Sequence, residues 1–364
     1  MPKTQETLVD ALERKRLFDA MLDNEPFDFY SDQITVLDTT LFVGSSLRSI
    51  NLPECTSVGQ PNTLSWNGIT GPFCLATKLV SVSLPKCEKL TGVSYGNDIT
   101  RYGVFVNCSS LTTLSLPECT EIHPSAAIYG NPKLTSLELP KLKVVGSMLS
   151  GGPRGKSTFA NNTSLTLINF PELEFYSLGD NTYYGFFGGC TALTTVSLAK
   201  TKYIPYQTFG SLTKLSSVYA PHVQGVGYNA LSGCTALTEL DFPECTTLSE
   251  SALYNCKNLK RLTLSTIGGS MSINSKALTG CSSLTTIIID ATFVSSVTFS
   301  ACPLDIDSAK RIINCLEDYS GTENEYKNKV TFSSTTLSYL SAEGATAPGD
   351  ITWTEYAKQK GWNI

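Results

Sequence analysis

The stretch "NALSGCTALTELDFPECTTL", residues 229–248, decides how the rest of the chain reads. Counting from Leu237, apolar residues stand at +3 (Leu240) and +5 (Phe242), Pro243 at +6, Cys245 at +8 and Cys234 at −3. The same order returns in "CSSLTTL" from Cys108, "CTALTTV" from Cys190, "CKNLKRL" from Cys256 and "CSSLTTI" from Cys281. Aligned on the Leu, the chain shows ten copies: Leu47, Leu79, Leu111, Leu134, Leu165, Leu193, Leu215, Leu237, Leu259 and Leu284. Their spacings are 32, 32, 23, 31, 28, 22, 22, 22 and 25 residues. A base period of 22 with variable insertions is the mark of a solenoid. Positions +3 and +5 are apolar in every copy and are separated by residues such as Ser83, Ser115 and Asp241. That alternation is a strand with one face buried. Seven copies then place Pro at +6, which has no N–H to give a ladder and ends the strand. The pattern predicts one short strand per coil, stacked in parallel into one long sheet over a shared core.

The cysteines occupy two columns of this register. Cys108, Cys190, Cys234, Cys256 and Cys281 stand at −3, where other copies have Ala76, Asn131, Asn162 and Leu212. Cys55, Cys87, Cys119 and Cys245 stand at +8, where others have Leu142, Leu173, Val223 and Ile267. Such columns ask for a compact side chain, and a buried free Cys fits. Rungs about 4.8 Å apart meet the Cα range of a disulfide, but their parallel Cβ vectors do not suit the bridge. No Cys-x-x-Cys pair occurs and the chain has two His, so metal ligation is disfavoured.

The 364 residues are 41% hydrophobic and 16% charged, ample for a large core. The net charge of −5 without a basic block argues against nucleic-acid binding, which needs clustered Lys and Arg. The apolar runs are too short to cross a bilayer. The hydrophilic start "MPKTQETLVDALERKRLF" has no apolar core of a secretory signal. With cysteines used as filler, it leads to the expectation of folding in a reducing cytosol.

Residues 4–22 read as a helix capped by Thr4, and "DNEPFDFYSDQ" (23–33) as an acidic, aromatic connector. The chain thus divides into an N-terminal helix and connector (1–40), repeats (41–300) and a C-terminal capping module (301–364). In the last, Asp305 or Asp307 caps a helix with Ala309, Ile312, Ile313 and Leu316 on its apolar face. The strand-like "KVTFS", then "TTLSYL", then "TEYAKQK" stopped by Gly361, follow. A solenoid needs such an end, because its last rung otherwise exposes core and strand edge.

Written out, "SALYNCKNLKRLTL" and "NALSGCTALTELDFPECTTL" resemble BspA-type leucine-rich repeats over roughly residues 41–300. The family's aromatic position is met by Phe105, Phe159, Phe187 and Phe209 and replaced by Leu231, Leu253 and Leu278. Long insertions in the first half depart from its period. The resemblance implies an α/β-type solenoid with no catalytic residues. It implies surface and recognition roles, in bacterial adhesins or in structural and receptor-binding parts of phage particles. The end "WTEYAKQKGWNI" is similar to terminal modules of repeat proteins from gut bacteria and their phages.

Catalytic chemistry finds no pattern. His123 and His222 fall in different registers and read as solvent-facing. No G-x-S-x-G, G-x-x-x-x-G-K or His-x-x-x-His occurs. "SGGPRGKS" (150–157) lacks phosphate-loop spacing, and the sequons in "NNTS" (161–164) are expected to be idle. No cofactor or metal is expected. The Ser and Thr at +1 and +2, such as Thr112, Thr113, Thr194 and Thr195, suit a wet strand face by propensity, or else form a flat polar ligand surface. The insertions, rich in Gly and aromatics, project from one side of the coil. They carry Trp66, Tyr95, Arg101, Tyr102, Arg154, Tyr183 and Tyr184, residue types that dominate recognition patches. The expectation is a non-enzymatic recognition or structural protein of a phage particle, in its tail or fibre, assembled in the host cytoplasm. Its partners would be a host surface glycan or protein and, through the N-terminal helix, other virion proteins or a second copy. A bacterial cell-surface adhesin is the alternative; a glycan-active enzyme would need a carboxylate pair that the sequence does not show.

Overall fold

The computed structural model describes residue 19 and residues 25–37, 42–59, 71–91, 103–123, 127–145, 158–174, 185–342 and 346–364. The helix expected at 4–22 lies outside these, Asp19 apart. The chain divides into two compact units: Met1–Glu174 with Asn181–Leu198, and Phe175–Asp180 with Ala199–Ile364.

In the first unit each coil gives the expected strand, centred on the buried +3 residue. Phe27–Tyr30, Leu47–Asn51, Ser81–Ser83 and Thr113–Ser115 pair in parallel, as do Ser136–Glu138, Leu167–Asn169 and Thr195–Ser197. The connector therefore holds a strand, Phe27–Tyr30, in the same ladder as the repeats. Arg48 ties it down by donating from Nε to Asp28 (3.0 Å), and Ser49 adds a hydroxyl at 2.5 Å. These partners draw the Asp28 carboxyl down to about 2.

Each coil also carries a second strand of two residues, beyond the one expected. Val36–Leu37, Ser57–Val58, Lys89–Leu90, Glu121–Ile122 and Val144–Val145 form a parallel ladder near +10 and +11. Two-residue strands are too short to show a period, yet each buries one apolar side chain (Leu37, Val58, Leu90, Ile122, Val145). A third contact pairs Phe105–Val106 with Ile128–Tyr129. Rings stack between coils in the core: Phe42 to Phe73 at 5.7 Å, and Phe73 to Phe105 at 5.0 Å.

The turn into each strand has a fixed backbone. Position −4 is left-handed in nine of the ten copies: Leu75, Asn107, Gly130, Asn161 and Gly189 in the first unit, Ser211, Gly233, Asn255 and Gly280 in the second. Gly and Asn adopt this region at least cost, whereas Leu75 at φ 60° is strained. A Cβ on Gly130 would stand 2.3 Å from Oδ1 of Asn107, so this glycine is also needed for close approach.

The turn aims the −3 side chain back at the preceding coil, and here the filler reading of the cysteines is extended. Cys108 donates from Sγ to Phe73 O (3.0 Å) and Cys190 to Phe159 O (3.2 Å). In the second unit Cys234 reaches Phe209 O (3.1 Å), Cys256 reaches Leu231 O and Cys281 reaches Leu253 O (both 3.2 Å). Asn131 and Asn162 do the same from their amides, to Phe105 O (3.0 Å) and Ile128 O (2.8 Å). Seven of the ten copies thus place a small buried donor in this column, while Ala76 and Leu212 fill it without one. The +8 thiols bond within their own coil, Cys87 to Lys89 O and Cys245 to Thr247 O. All twelve cysteines are free and all but Cys315 are buried. Burial pushes the thiols up, to about 12 for Cys190, Cys234, Cys245 and Cys281, so they remain protonated donors.

The second unit repeats the plan with Glu239–Phe242, Arg261–Leu264 and Thr286–Ile288 in one ladder. Tyr203–Ile204, Gly225–Val226, Thr247–Leu248, Ser270–Ile273 and Thr292–Phe293 form the other. It ends in helices α1 (Ile306–Asn314), α2 (Ser334–Leu340) and α3 (Trp353–Gln359). Val297–Phe299 pairs in parallel with Val330–Phe332, and Thr346–Ala347 with Ile351–Thr352 in antiparallel. Asp305 caps α1, which buries Ala309, Ile312 and Ile313. Thr352 and Glu355 form a capping box on α3. Lys360 donates to Asn314 O at the end of α1, and buried Trp362 donates to Glu317 O (2.7 Å).

Candidate functional site

The seven residues expected to bind, Trp66, Tyr95, Arg101, Tyr102, Arg154, Tyr183 and Tyr184, all lie outside the described residues. Among the described residues the site is found instead on the strand face of the first unit, the surface of exposed Ser and Thr.

That face is laced by hydroxyls. Thr112 Oγ1 donates to Val80 O (3.1 Å), Thr166 Oγ1 to Thr135 O (3.0 Å) and Thr194 Oγ1 to Thr166 O (3.0 Å), each from +1 to the same position of the coil before. The peptide bonds beside them agree. Thr112 N–H donates to Val80 O (2.9 Å), and Thr166 N–H to Thr135 O (2.8 Å). Beyond the strands, Leu84 N–H donates to Ser115 O and Leu139 N–H to Asn169 O, both at 3.1 Å. Propensity alone thus does not account for Thr here; its hydroxyl ties coils together.

One junction in this unit lacks these ties. Thr113–Ser115 and Ser136–Glu138 are not paired, so the expected continuous sheet is interrupted. Among the described residues Thr135 gives neither N–H nor hydroxyl to Thr112 O, and Leu116 N–H does not reach Glu138 O. The strands remain neighbours, with Cα atoms within 8 Å. The +3 residue on one wall, Leu114, is 8% exposed, against 1% for Val82 in the paired coil before it. The resulting groove encloses about 470 Å³ and is lined by both strands, by Pro117 and Pro140, and by Asn169.

The same two coils are closed elsewhere. Lys143 N–H and Val144 N–H donate to Thr120 O in the second ladder. Asn131 accepts from Cys108 N–H (3.0 Å) while donating to Phe105 O. Lys141 pairs with Glu118 at 2.6 Å beyond the prolines. The opening is a seam bounded on each side, not a separation of coils. A second unpaired junction lies in the second unit, between Ser217–Tyr219 and Glu239–Phe242; there Val218 is half-buried and Tyr219 is 58% exposed.

The groove holds hydroxyls, one carboxylate (Glu138) and one amide (Asn169), with no Lys or Arg in its lining. It can bind through hydrogen bonds. Outside it, His222 bonds Glu244 at 2.6 Å, and His123 is half-buried rather than solvent-facing, its titration lowered by burial. Among the described residues no group of three His, Cys, Asp or Glu is placed to hold a metal ion. No helix among them is long and apolar enough to cross a membrane.

Short parallel strands on a recurring Leu, a left-handed turn and a Cys/Asn donor column define a leucine-rich repeat solenoid. Its class is that of protein-recognition and surface-interaction proteins. The family model of the BspA type leucine rich repeat region matches in six copies over residues 77–186 and 180–305, more than half of the chain, and the protein belongs to that family. No curated protein sequence matches the chain. The chain is similar to solved structures. A leucine-rich repeat protein from Bacteroides ovatus is 16% identical, with 86% of this chain and 82% of that chain covered and a TM-score of 0.46. A leucine rich cell surface protein from Faecalibacterium prausnitzii is 17% identical, at 75% and 79% coverage and a TM-score of 0.31. An internalin from Listeria monocytogenes is 18% identical, at 84% and 85% coverage and a TM-score of 0.35.

Proposed function

We propose that the protein is a non-enzymatic recognition component that presents its strand face to a bacterial surface molecule, glycan or protein. The observation that carries this reading is the seam between the Leu111 and Leu134 coils. It is a groove of unpaired polar groups on the strand face of the first unit, whose other neighbouring strands are paired. The setting we propose is the tail or fibre of a bacteriophage, assembled in the host cytoplasm and released by lysis. The insertion residues Trp66, Tyr102 and Tyr184 would add to the contact surface, and the N-terminal segment would attach the chain to other virion proteins or to a second copy.

The state of the cysteines favours this setting over a secreted adhesin. Twelve free thiols, several stacked coil on coil as donors, suit folding in a reducing compartment, where they are not oxidised as the chain folds. The test is twofold. The protein should be found by mass spectrometry and immuno-electron microscopy in purified particles. The purified chain should also bind intact host cells. Absence from particles together with display on a bacterial envelope would replace the phage setting by the adhesin. Absence of any cell binding would remove the recognition role.

A further inference from the structure

We propose that the seam between the Leu111 and Leu134 coils is a slot for a neutral saccharide, whose hydroxyl groups occupy the place of the missing strand-to-strand hydrogen bonds. This rests on reading the strand face as the recognition surface, and it names the ligand class.

Spacing selects the occupant. Paired strands lie about 4.8 Å apart, and accepting a whole extra strand would require about 9.6 Å. The seam falls between these, since its Cα atoms come within 8 Å while no pairing joins the strands. Placing one oxygen between an N–H and a C=O replaces one hydrogen bond by two and widens the pair by roughly 2–3 Å. A single row of hydroxyls matches that gap; a peptide strand does not.

The chemistry of the walls agrees. Thr113 and Ser115 turn their peptide groups to the preceding strand, so Leu114 and Leu116 turn theirs into the seam. On the other wall the strand pairs with Leu167–Asn169 through alternate residues, which leaves Ser136 and Glu138 facing the seam. Each wall thus offers both N–H and C=O, and a hydroxyl is the ligand group that serves both at once. The hydroxyls of Thr113, Ser115, Thr135 and Ser136 and the Glu138 carboxylate stand free for further bonds. Without a cation in the lining, and with Glu138 in it, the slot disfavours an anionic ligand. Pro117 and Pro140 give apolar rings at one end for the C–H face of a sugar. The buried Asn131 bonds and the second ladder hold the two coils in place, so the slot is formed before a ligand arrives. Water in such a row is displaced at little loss when the ligand restores its hydrogen bonds.

The test uses the full chain, labelled with nitrogen-15, and three neutral probes: maltotriose, cellotriose and tri-N-acetylchitotriose. They are titrated to about 10 mM, above a weak millimolar Kd. The amide signals of Leu114, Leu116, Ser136 and Glu138 should shift with at least one of them. Glu138→Gln and Ser136→Ala should each weaken that binding by roughly tenfold, as loss of one well-placed hydrogen-bonding group does, with an unchanged melting transition. If none of the three moves these amides, the proposal is overturned. If the peptide acetyl-Val-Thr-Val-Thr-Val-amide moves them and the saccharides do not, the seam accepts a strand, and the proposal is likewise overturned. Cell binding separates this from the broader reading. Attachment to host cells that ignores both Glu138→Gln and added saccharide leaves the recognition role standing and removes the slot. Saccharide binding at the seam by a chain that does not attach to cells does the reverse.

Discussion

Two neighbouring junctions of the first unit carry Thr at the same +1 position and differ in structure. Between the Leu134 and Leu165 coils the strands are paired, and Thr166 bonds Thr135 O from both its N–H and its hydroxyl. Between the Leu111 and Leu134 coils Thr135 stands at the same position and makes neither bond to Thr112 O. Both junctions keep the buried amide: Asn162 accepts from Asn131 N–H (2.9 Å), and Asn131 from Cys108 N–H (3.0 Å). The coils are therefore held from inside, by the donor column and the second ladder, and the strand face can open without parting them. That division lets a repeat protein vary its exposed surface on a constant core.

The largest expected effect tests the inner tie. Asn131→Ala leaves Cys108 N–H without a partner in a buried place and takes from Phe105 O one of its two donors, the other being Tyr129 N–H in the ladder, at a cost of roughly 1–3 kcal/mol. The loss should be at least that of Asn162→Ala, although Asn162 bonds two carbonyls, because the seam has no strand pairing in reserve. Denaturant unfolding followed by circular dichroism measures both. A loss at Asn131 under about 1 kcal/mol would mean that the coils are held by something else.

Next is the thiol version of the same tie. Cys234→Val keeps the volume but removes the thiol donor to Phe209 O, which keeps the N–H of Leu212 (3.3 Å), and should cost about 0.5–1.5 kcal/mol. Cys245→Val, at a thiol that bonds within its own coil at 3.5 Å, should cost less. Equal losses would return both columns to simple filling. In the native state these thiols should also resist a disulfide reagent at neutral pH and react only on unfolding, since burial holds them protonated.

Much of this was legible, and the exceptions have physical reasons. The strand, its buried face and the end of α3 at Gly361 follow from period, Pro and Gly. The donor role of the −3 column had a signal: Asn131 and Asn162 share it with Cys, and no purely apolar column would accept Asn. The left-handed −4 position had one too, in the Gly or Asn that precedes most −3 residues. The second ladder shows no period within a coil, because two residues carry none; only the apolar column at +11 (Val58, Leu90, Ile122, Val145, Ile204, Val226, Leu248) marks it. The seam had no signal, since Thr112, Thr135 and Thr166 are the same residue in the same register. Whether two coils pair is decided by their relative placement, which a repeat written once per coil does not record.

A smaller effect, of opposite sign, concerns the turn that aims the donor column. Leu75 takes the left-handed backbone that Gly130 and Gly189 fill in other coils, and its side chain is 48% exposed. Leu75→Gly relieves strain worth roughly 1–2 kcal/mol but frees the unfolded chain, so a net gain of about 0.5–1 kcal/mol is expected. A rise in melting temperature checks it. A loss would show that the Leu75 side chain contributes packing that its exposure does not suggest.

The smallest effect isolates the seam most directly. Thr135 and Thr166 are both exposed +1 residues, and Thr→Val keeps shape and strand propensity at each. At the closed junction Thr166→Val removes a hydroxyl that donates to Thr135 O at 3.0 Å, an ordinary tie worth about 0.5–1 kcal/mol. At the seam Thr135→Val removes a hydroxyl without a partner, and should change stability by less than about 0.5 kcal/mol. Because that difference is small, exchange of single amides is the sharper readout. The N–H groups of Thr135 and Leu116 should exchange quickly, as exposed unpaired donors do, and those of Thr166 and Leu139 slowly. If Thr135→Val costs as much as Thr166→Val, and the Leu116 amide is protected as Leu139 is, then the strands close in solution and the groove on this face is lost with them.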